Sequence, residues 1–252
     1  MSPRPRGRLA AYARYQLLDY LAHRAALPAL LVLVIAGVTV YAMSKNGPPG
    51  FWGTATGSQM AKSLFQQTMG LFLPLGAFMG INGLVAGDRQ HGHFRFFFSK
   101  PVSVPAFYAQ AFAVHLAAFV AIAAALAALL GAVTAPAPVL AAAESAALTF
   151  ALVGGLGLLF GTLVRLDGGV LILVYTVSSV VQQVDAQQAG VLPAWASSLG
   201  RALPPVLKLD QVRTHLFAGQ SPAAADVWHV LGYGAAAAAV GLLVLRRAPL
   251  AR

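Results

Sequence analysis

The sequence predicts an all-α integral membrane protein with six transmembrane helices, and three observations predict it. Of its 252 residues, 58% are hydrophobic and 10% charged, with a mean hydropathy of +0.72. A soluble surface takes roughly 25–35% charged residues, so this chain cannot clothe itself for water. Disorder is excluded as well, because it requires low hydrophobicity. Six stretches meet or approach the ~20 apolar residues that cross the hydrocarbon as a helix. The third observation is the net charge of +10, which is unevenly distributed along the chain.

In chain order the expected spans are residues 27–43, 69–86, 106–133, 146–164, 169–184 and 227–245. They form one six-span unit, 27–245, between a cytoplasmic segment 1–26 and a short tail 246–252. The third span is long enough to tilt or to begin at the interface. The fifth is the shortest. The first follows an Arg-rich segment, but a long leader and the lack of a small-residue cleavage site favour an uncleaved span over a signal peptide. Within 8–24, Leu9, Tyr12, Ala13, Leu17, Tyr20 and Leu21 recur at mostly helical spacing, which predicts an interfacial helix leading into the first span.

The connection 185–226 carries Leu192, Trp195, Leu199 and Leu203, then Pro204-Pro205, then Val206, Leu209, Val212 and Leu216. Two short amphipathic helices broken at the prolines fit that pattern. Orientation follows from the basic residues. Arg4, Arg6, Arg8, Arg14, Arg24, Arg89, Arg95, Lys100, Arg165, Arg246, Arg247 and Arg252 fall on one side, and only Lys45, Lys62, Arg201, Lys208 and Arg213 on the other. Lys and Arg concentrate in cytoplasmic loops, so both termini are expected in the cytoplasm of a multi-pass cell (inner) membrane protein. The positive charge therefore reads as topology and not as a nucleic-acid surface.

Catalytic constellations are not found. The chain has no Cys, hence no thiolate metal site and no Cys nucleophile. It has no G-x-x-x-x-G-K-[ST] cradle for ATP phosphates, and Gly154-Gly155-Leu156-Gly157 lies in an apolar span with no following Lys, which reads as helix packing. Ion-coupled carriage needs ionisable groups at the midplane. Asp19, Asp88, Asp167, Asp185, Asp210 and Asp226 all fall in loops or at span edges, and Glu144 just precedes the fourth span. His115, about ten residues into the third span, is expected to bond to a neighbouring helix. His91 and His93 form H-x-H without a third ligand, a poor metal site. No catalytic, cofactor or metal residue is predicted.

Small residues give a packing signal. Gly76, Gly80, Gly83 and Gly87 recur at four, three and four residues, which on one helix confines them to an arc of roughly 60°. Gly154, Gly157 and Gly161 form a shorter stripe in the fourth span. Such stripes admit close helix approach, within the chain or against a second copy.

The most informative segment runs Gly87-Asp88-Arg89-Gln90-His91-Gly92-His93-Phe94-Arg95-Phe96-Phe97-Phe98-Ser99-Lys100-Pro101-Val102-Ser103. Phe94, Phe97 and Phe98 would share a helical face apart from Arg95, and Lys100-Pro101 would end the helix. A short amphipathic helix of this kind suits the bilayer surface or a groove in a soluble partner. The segment resembles the loop after the second span in membrane subunits of type-2 ATP-binding-cassette (ABC) transporters, which show an acidic-basic-x-x-Gly pattern, an apolar run and a Ser-x-Pro-Val-Ser-like ending. Tyr108 falls where that family often has an aromatic residue, while His91 and His93 depart from its pattern. The resemblance implies a coupling helix over 89–98, with Asp88, Arg89, His91, Gly92, His93, Phe94, Arg95, Phe97 and Phe98 forming the dock for a separate ATPase. It also implies two ATPase copies that hold ATP and Mg, a second permease copy (homodimer or related subunit) and a pathway for an exported substrate among membrane lipids. Rival readings are a non-transporting scaffold or assembly factor, and an ion-coupled carrier.

Overall fold

A computed structural model describes residues 5–90, 103–164, 167–187, 191 and 193–247. These residues form helices and turns, with no strand among them. In order they are α1 (Pro5–Asp19), a π-helical turn (Tyr20–Ala25), α2 (Ala26–Asn46), α3 (Ala55–Ile81), α4 (Ala86–Gln90), α5 (Val104–Val133), α6 (Val139–Leu163), α7 (Asp167–Gln187), α8 (Ala194–Ala202), α9 (Val206–Phe217) and α10 (Ala224–Arg247). Six helical stretches are long and apolar enough to cross a membrane: Ala11–Asn46, Ala55–Asp88, Val104–Val133, Val139–Leu163, Gly168–Gln187 and Ala224–Arg247. This supports a multi-pass membrane protein.

The expected span positions are all occupied, but several helices run further. The second begins at Ala55, well before the expected residue 69, because Thr54 caps it: its hydroxyl oxygen accepts from Gly57 N at 3.0 Å. Ser58, Gln59, Lys62, Ser63, Gln66 and Gln67 obscured that start, yet Ala61, Leu64, Phe65 and Thr68 supply a buried face between them. The fourth begins at Val139, directly after Pro138.

The N-terminal segment also differs from its expected form. Residues 5–46 run through α1, the π turn and α2 without a non-helical break. The inward stripe is Tyr12, Gln16 and Tyr20, partly buried Arg24, then Pro28, Val32 and Ala36, while Leu17, Leu18 and Leu21 face outward. Each four-residue step on an α-helix overshoots a turn by about 40°, so six such steps would carry the stripe about 240° around the axis. A π turn places more residues in one turn and sets part of that drift back. Hence one face of the long helix stays against the bundle.

Helix α6 is the centre. It is the most buried of the six spans and packs on α10, α5 and α3, whereas α2 and α7 lie at the rim. Where α6 crosses α10 there is no room for side chains: a Cβ on Gly155 would strike the Gly234 backbone, and one on Gly234 the backbone of Ala151. Gly241 likewise lies against the Leu159 backbone. In lipid, helices gain little from apolar burial as such, so close backbone packing of this type holds them together. Aromatic rings fill the layer beside it, with Phe72 stacked on Phe119 at 5.3 Å and Phe119 against Phe150 at 5.6 Å between centroids. Gly76 exists to admit Phe119, whose ring edge lies 2.6 Å from where a Cβ would stand.

At the end of the bundle opposite the termini, α8 and α9 are tied to α7 by one side chain. Gln182 Nε2 donates to Gly200 O at 3.0 Å and Pro204 O at 2.9 Å, and its Oε1 accepts from Leu207 N at 3.0 Å. Ser197 Oγ donates to Asp185 at 2.7 Å, and Lys208 pairs with Asp226 at 3.0 Å. In α9, Val206, Leu209 and Val212 are buried, but in α8 Trp195 and Leu199 point outward. The apolar face of α8 is therefore left for lipid or another surface.

Candidate functional site

The richest polar constellation lies at the end that carries the termini, where α3 stops. A helix C-terminus leaves carbonyls without intrahelical donors and with negative partial charge. Here Arg24, delivered by the π turn, donates from Nη1 to Asn82 O at 2.7 Å and to Gly80 O at 3.4 Å. From α5, His115 meets the same Gly80 carbonyl through Nδ1 at 3.0 Å. A carbonyl only accepts, so Nδ1 carries the proton and Nε2 is left as the ring's acceptor. Tyr20 packs its ring on His115 at 4.7 Å. Gly80 must be bare for this, since a Cβ there would lie 3.0 Å from the Tyr20 ring and 3.2 Å from Phe150.

Beyond Ile81 the chain turns through Gly83, whose φ of +69° favours glycine, and restarts as α4. Asp88 of α4 accepts from the buried Tyr108 hydroxyl at 3.0 Å, fastening the start of the loop to the first turns of α5. Asp19 faces Arg24 Nε at 3.7 Å and His23 at 3.3 Å. Between these groups is a cavity of about 270 Å³, lined by Gln16, Asp19, Arg24, Asp88, Phe107 and His115 among others. Gln16 is 6% exposed, and neither of its amide atoms has a hydrogen-bond partner.

The sequence-derived site residues divide sharply. Asp88 borders this cavity, and Arg89 lies in α4. His91, Gly92, His93, Phe94, Arg95, Phe97 and Phe98 lie outside the described residues, and so does most of the expected coupling helix. Of the first glycine stripe, Gly76 and Gly80 receive Phe119 and Tyr20, while the end of α3 at Ile81 takes Gly83 and Gly87 off that helix. Gly154 faces Phe112 and Phe150, Gly157 faces Ile81, and Gly161 is buried in α6. The tightest backbone crossing uses Gly155, Gly234 and Gly241 instead.

Sequence reasoning passed over Gln16 and read Arg24 only as a topology charge, although both continue the four-residue spacing of Tyr12 and Tyr20. Among the described residues no group of three or more His, Cys, Asp or Glu could hold a metal ion. Two further cavities lie at the opposite end, about 430 Å³ beside Gln182, Arg201 and Lys208, and about 580 Å³ beside Lys62, Thr134 and Phe217. Compared with known protein families, with curated proteins and with solved structures, the chain matches none.

Proposed function

We propose that this chain is the membrane subunit of a type-2 ABC transporter, forming the substrate pathway for export and coupled to ATP hydrolysis on a separate ATPase. The reading rests on the loop motif from Asp88 to Ser103, set between two of six membrane-crossing helices. The observation that carries it furthest is the jointed root of that loop. Helix α3 ends at Ile81, Gly83 turns the chain, and Asp88 is tied to Tyr108 on α5. A push on residues 89–98 from a docked ATPase would pass through that bond into α5, while Gly83 lets α4 swing relative to α3. ATP and Mg belong to the partner chain, two ATPases serve two permease copies, and both termini face the cytoplasm.

Docking and transmission are separable by experiment. Co-expressed with a companion ATPase bearing G-x-x-x-x-G-K-[ST], the tagged chain should recover it. Phe97→Ala with Phe98→Ala should abolish that recovery, and an unchanged yield of complex would overturn the docking assignment. Tyr108→Phe should keep the complex but lower ATPase stimulation in liposomes, because the hydroxyl that holds Asp88 is gone.

A further inference from the structure

The cavity at the end of α3 has features of a place built for a ligand. A buried amide without partners is rare in folded proteins and points to a group that completes it. Gln16 is in that position. The cavity, at about 270 Å³, has room for about nine waters at ~30 Å³ each, and a polar wall of this kind does not stay dry.

Its charges are arranged in opposition. Arg24 commits Nη1 to the carbonyls of Gly80 and Asn82 and turns Nε to Asp19, and its Nη2 makes no hydrogen bond among the described residues. Among the described residues Asp19 is met by ion pairs of 3.3 and 3.7 Å, neither of them a short hydrogen bond. An occupant that satisfies both ends carries an anionic oxygen group for Arg24 and N–H donors for Asp19, with the Gln16 amide able to bond to either.

The location supplies the rest. On the same helix Tyr15, Leu17, Leu18 and Leu21 are exposed, a Tyr and leucines at the N-terminal end of the first membrane-crossing stretch. Tyr is enriched at the headgroup level, and exposed leucines flanking charged residues are typical of helices seated in that layer. We infer that this cavity holds the phosphoethanolamine headgroup of a membrane lipid, its phosphate at Arg24, its ammonium at Asp19 and Gln16 between them. A choline headgroup offers no N–H donor, and a glycerol headgroup offers no cation. The inference needs only a membrane-embedded chain and is independent of the transport reading.

The test uses the full chain in detergent, with phosphatidylethanolamine, phosphatidylcholine or phosphatidylglycerol of matched acyl chains added at equal mole fraction. Thermal unfolding and lipid retention in native mass spectrometry are the readouts. Phosphatidylethanolamine should stabilise the chain and half-saturate at about tenfold lower mole fraction than phosphatidylcholine, the loss expected for one charge-assisted hydrogen bond. Asp19→Asn should erase that preference, read as the difference between the two lipids on the same variant and so independent of any change in its baseline stability. Equal effects of the two lipids, a preference that survives Asp19→Asn, or strongest binding of phosphatidylglycerol would each overturn the assignment. Soluble phosphoethanolamine acting as well as the lipid would overturn the lipid source. Should Asp19→Asn fail to fold, lipid competition on the unaltered chain decides the same question.

Discussion

Gly155 and Gly234 show how much a single hydrogen-sized side chain decides in this bundle. Ala at either position would drive a Cβ into backbone atoms that cannot rotate away. Gly155→Ala is expected to cost about 1–3 kcal/mol or more, the range for overpacking, read as a lower unfolding temperature in detergent. Gly37→Ala is the matched control: nothing lies within 4 Å of its Cβ position, so the better helix propensity of Ala should leave stability equal or slightly higher. Arg24 is decisive in the opposite way, by what it reaches. Arg24→Met should destabilise by about 1.5–3 kcal/mol, since charged hydrogen bonds to the carbonyls of α3 are lost. Arg24→Lys should restore only part of this, because Nη1 makes the carbonyl bonds while Nε faces Asp19, and a single ammonium does not reproduce both nitrogens. The sequence advertises Gly155 only as one of a Gly-rich run, and Arg24 only as a loop charge. What each does depends on an element far away in the chain.

At the level of elements, helix positions follow from apolar runs, and helix ends follow from caps and breakers. Thr54, Pro138 and the Gly83 turn set boundaries that hydropathy alone placed several residues away. The prolines at 204–205 separate α8 from α9 as their spacing suggests, yet the two helices use their apolar faces differently. That difference traces to Gln182, which holds the junction by three hydrogen bonds and leaves Trp195 facing outward. Gln182→Leu keeps the side-chain volume and removes all three bonds. The expected outcome is faster amide exchange and quicker proteolysis across α8 and the start of α9, with α3, α5 and α6 unaffected. Uniform loss of protection across the bundle would mean that Gln182 supports the whole fold and not this cap alone. The π turn is the element least legible in advance, because nothing in residues 20–25 demands it. It arises where a stripe repeating every four residues must remain on one face of a long helix.

For the molecule as a whole, the prediction concerns orientation. The chain has no Cys, so single cysteines can be introduced without a cleared background. If the proposed orientation with cytoplasmic termini holds, Ser99→Cys should resist an impermeant maleimide added outside intact cells, and Ser221→Cys in the connection before α10 should label. The reverse pattern would invert the topology read from the 12 to 5 distribution of basic residues. The membrane setting, the all-helical class, the six spans and the loop that carries the family resemblance are legible in the amino-acid order alone. Those properties depend on composition and on neighbours close along the chain, where about 20 apolar residues must satisfy their own backbone bonds as helix. That α6 sits at the centre and that Gly155 meets Gly234 came from the folded arrangement. It alone brought Gln16, Arg24 and His115 around one cavity and set Arg24 and His115 on the same Gly80 carbonyl. Arg24 and Gly80 are 56 residues apart, and Gly80 and His115 are 35 apart. No local periodicity encodes such a meeting, because it depends on which helix faces pack together and how closely their backbones approach.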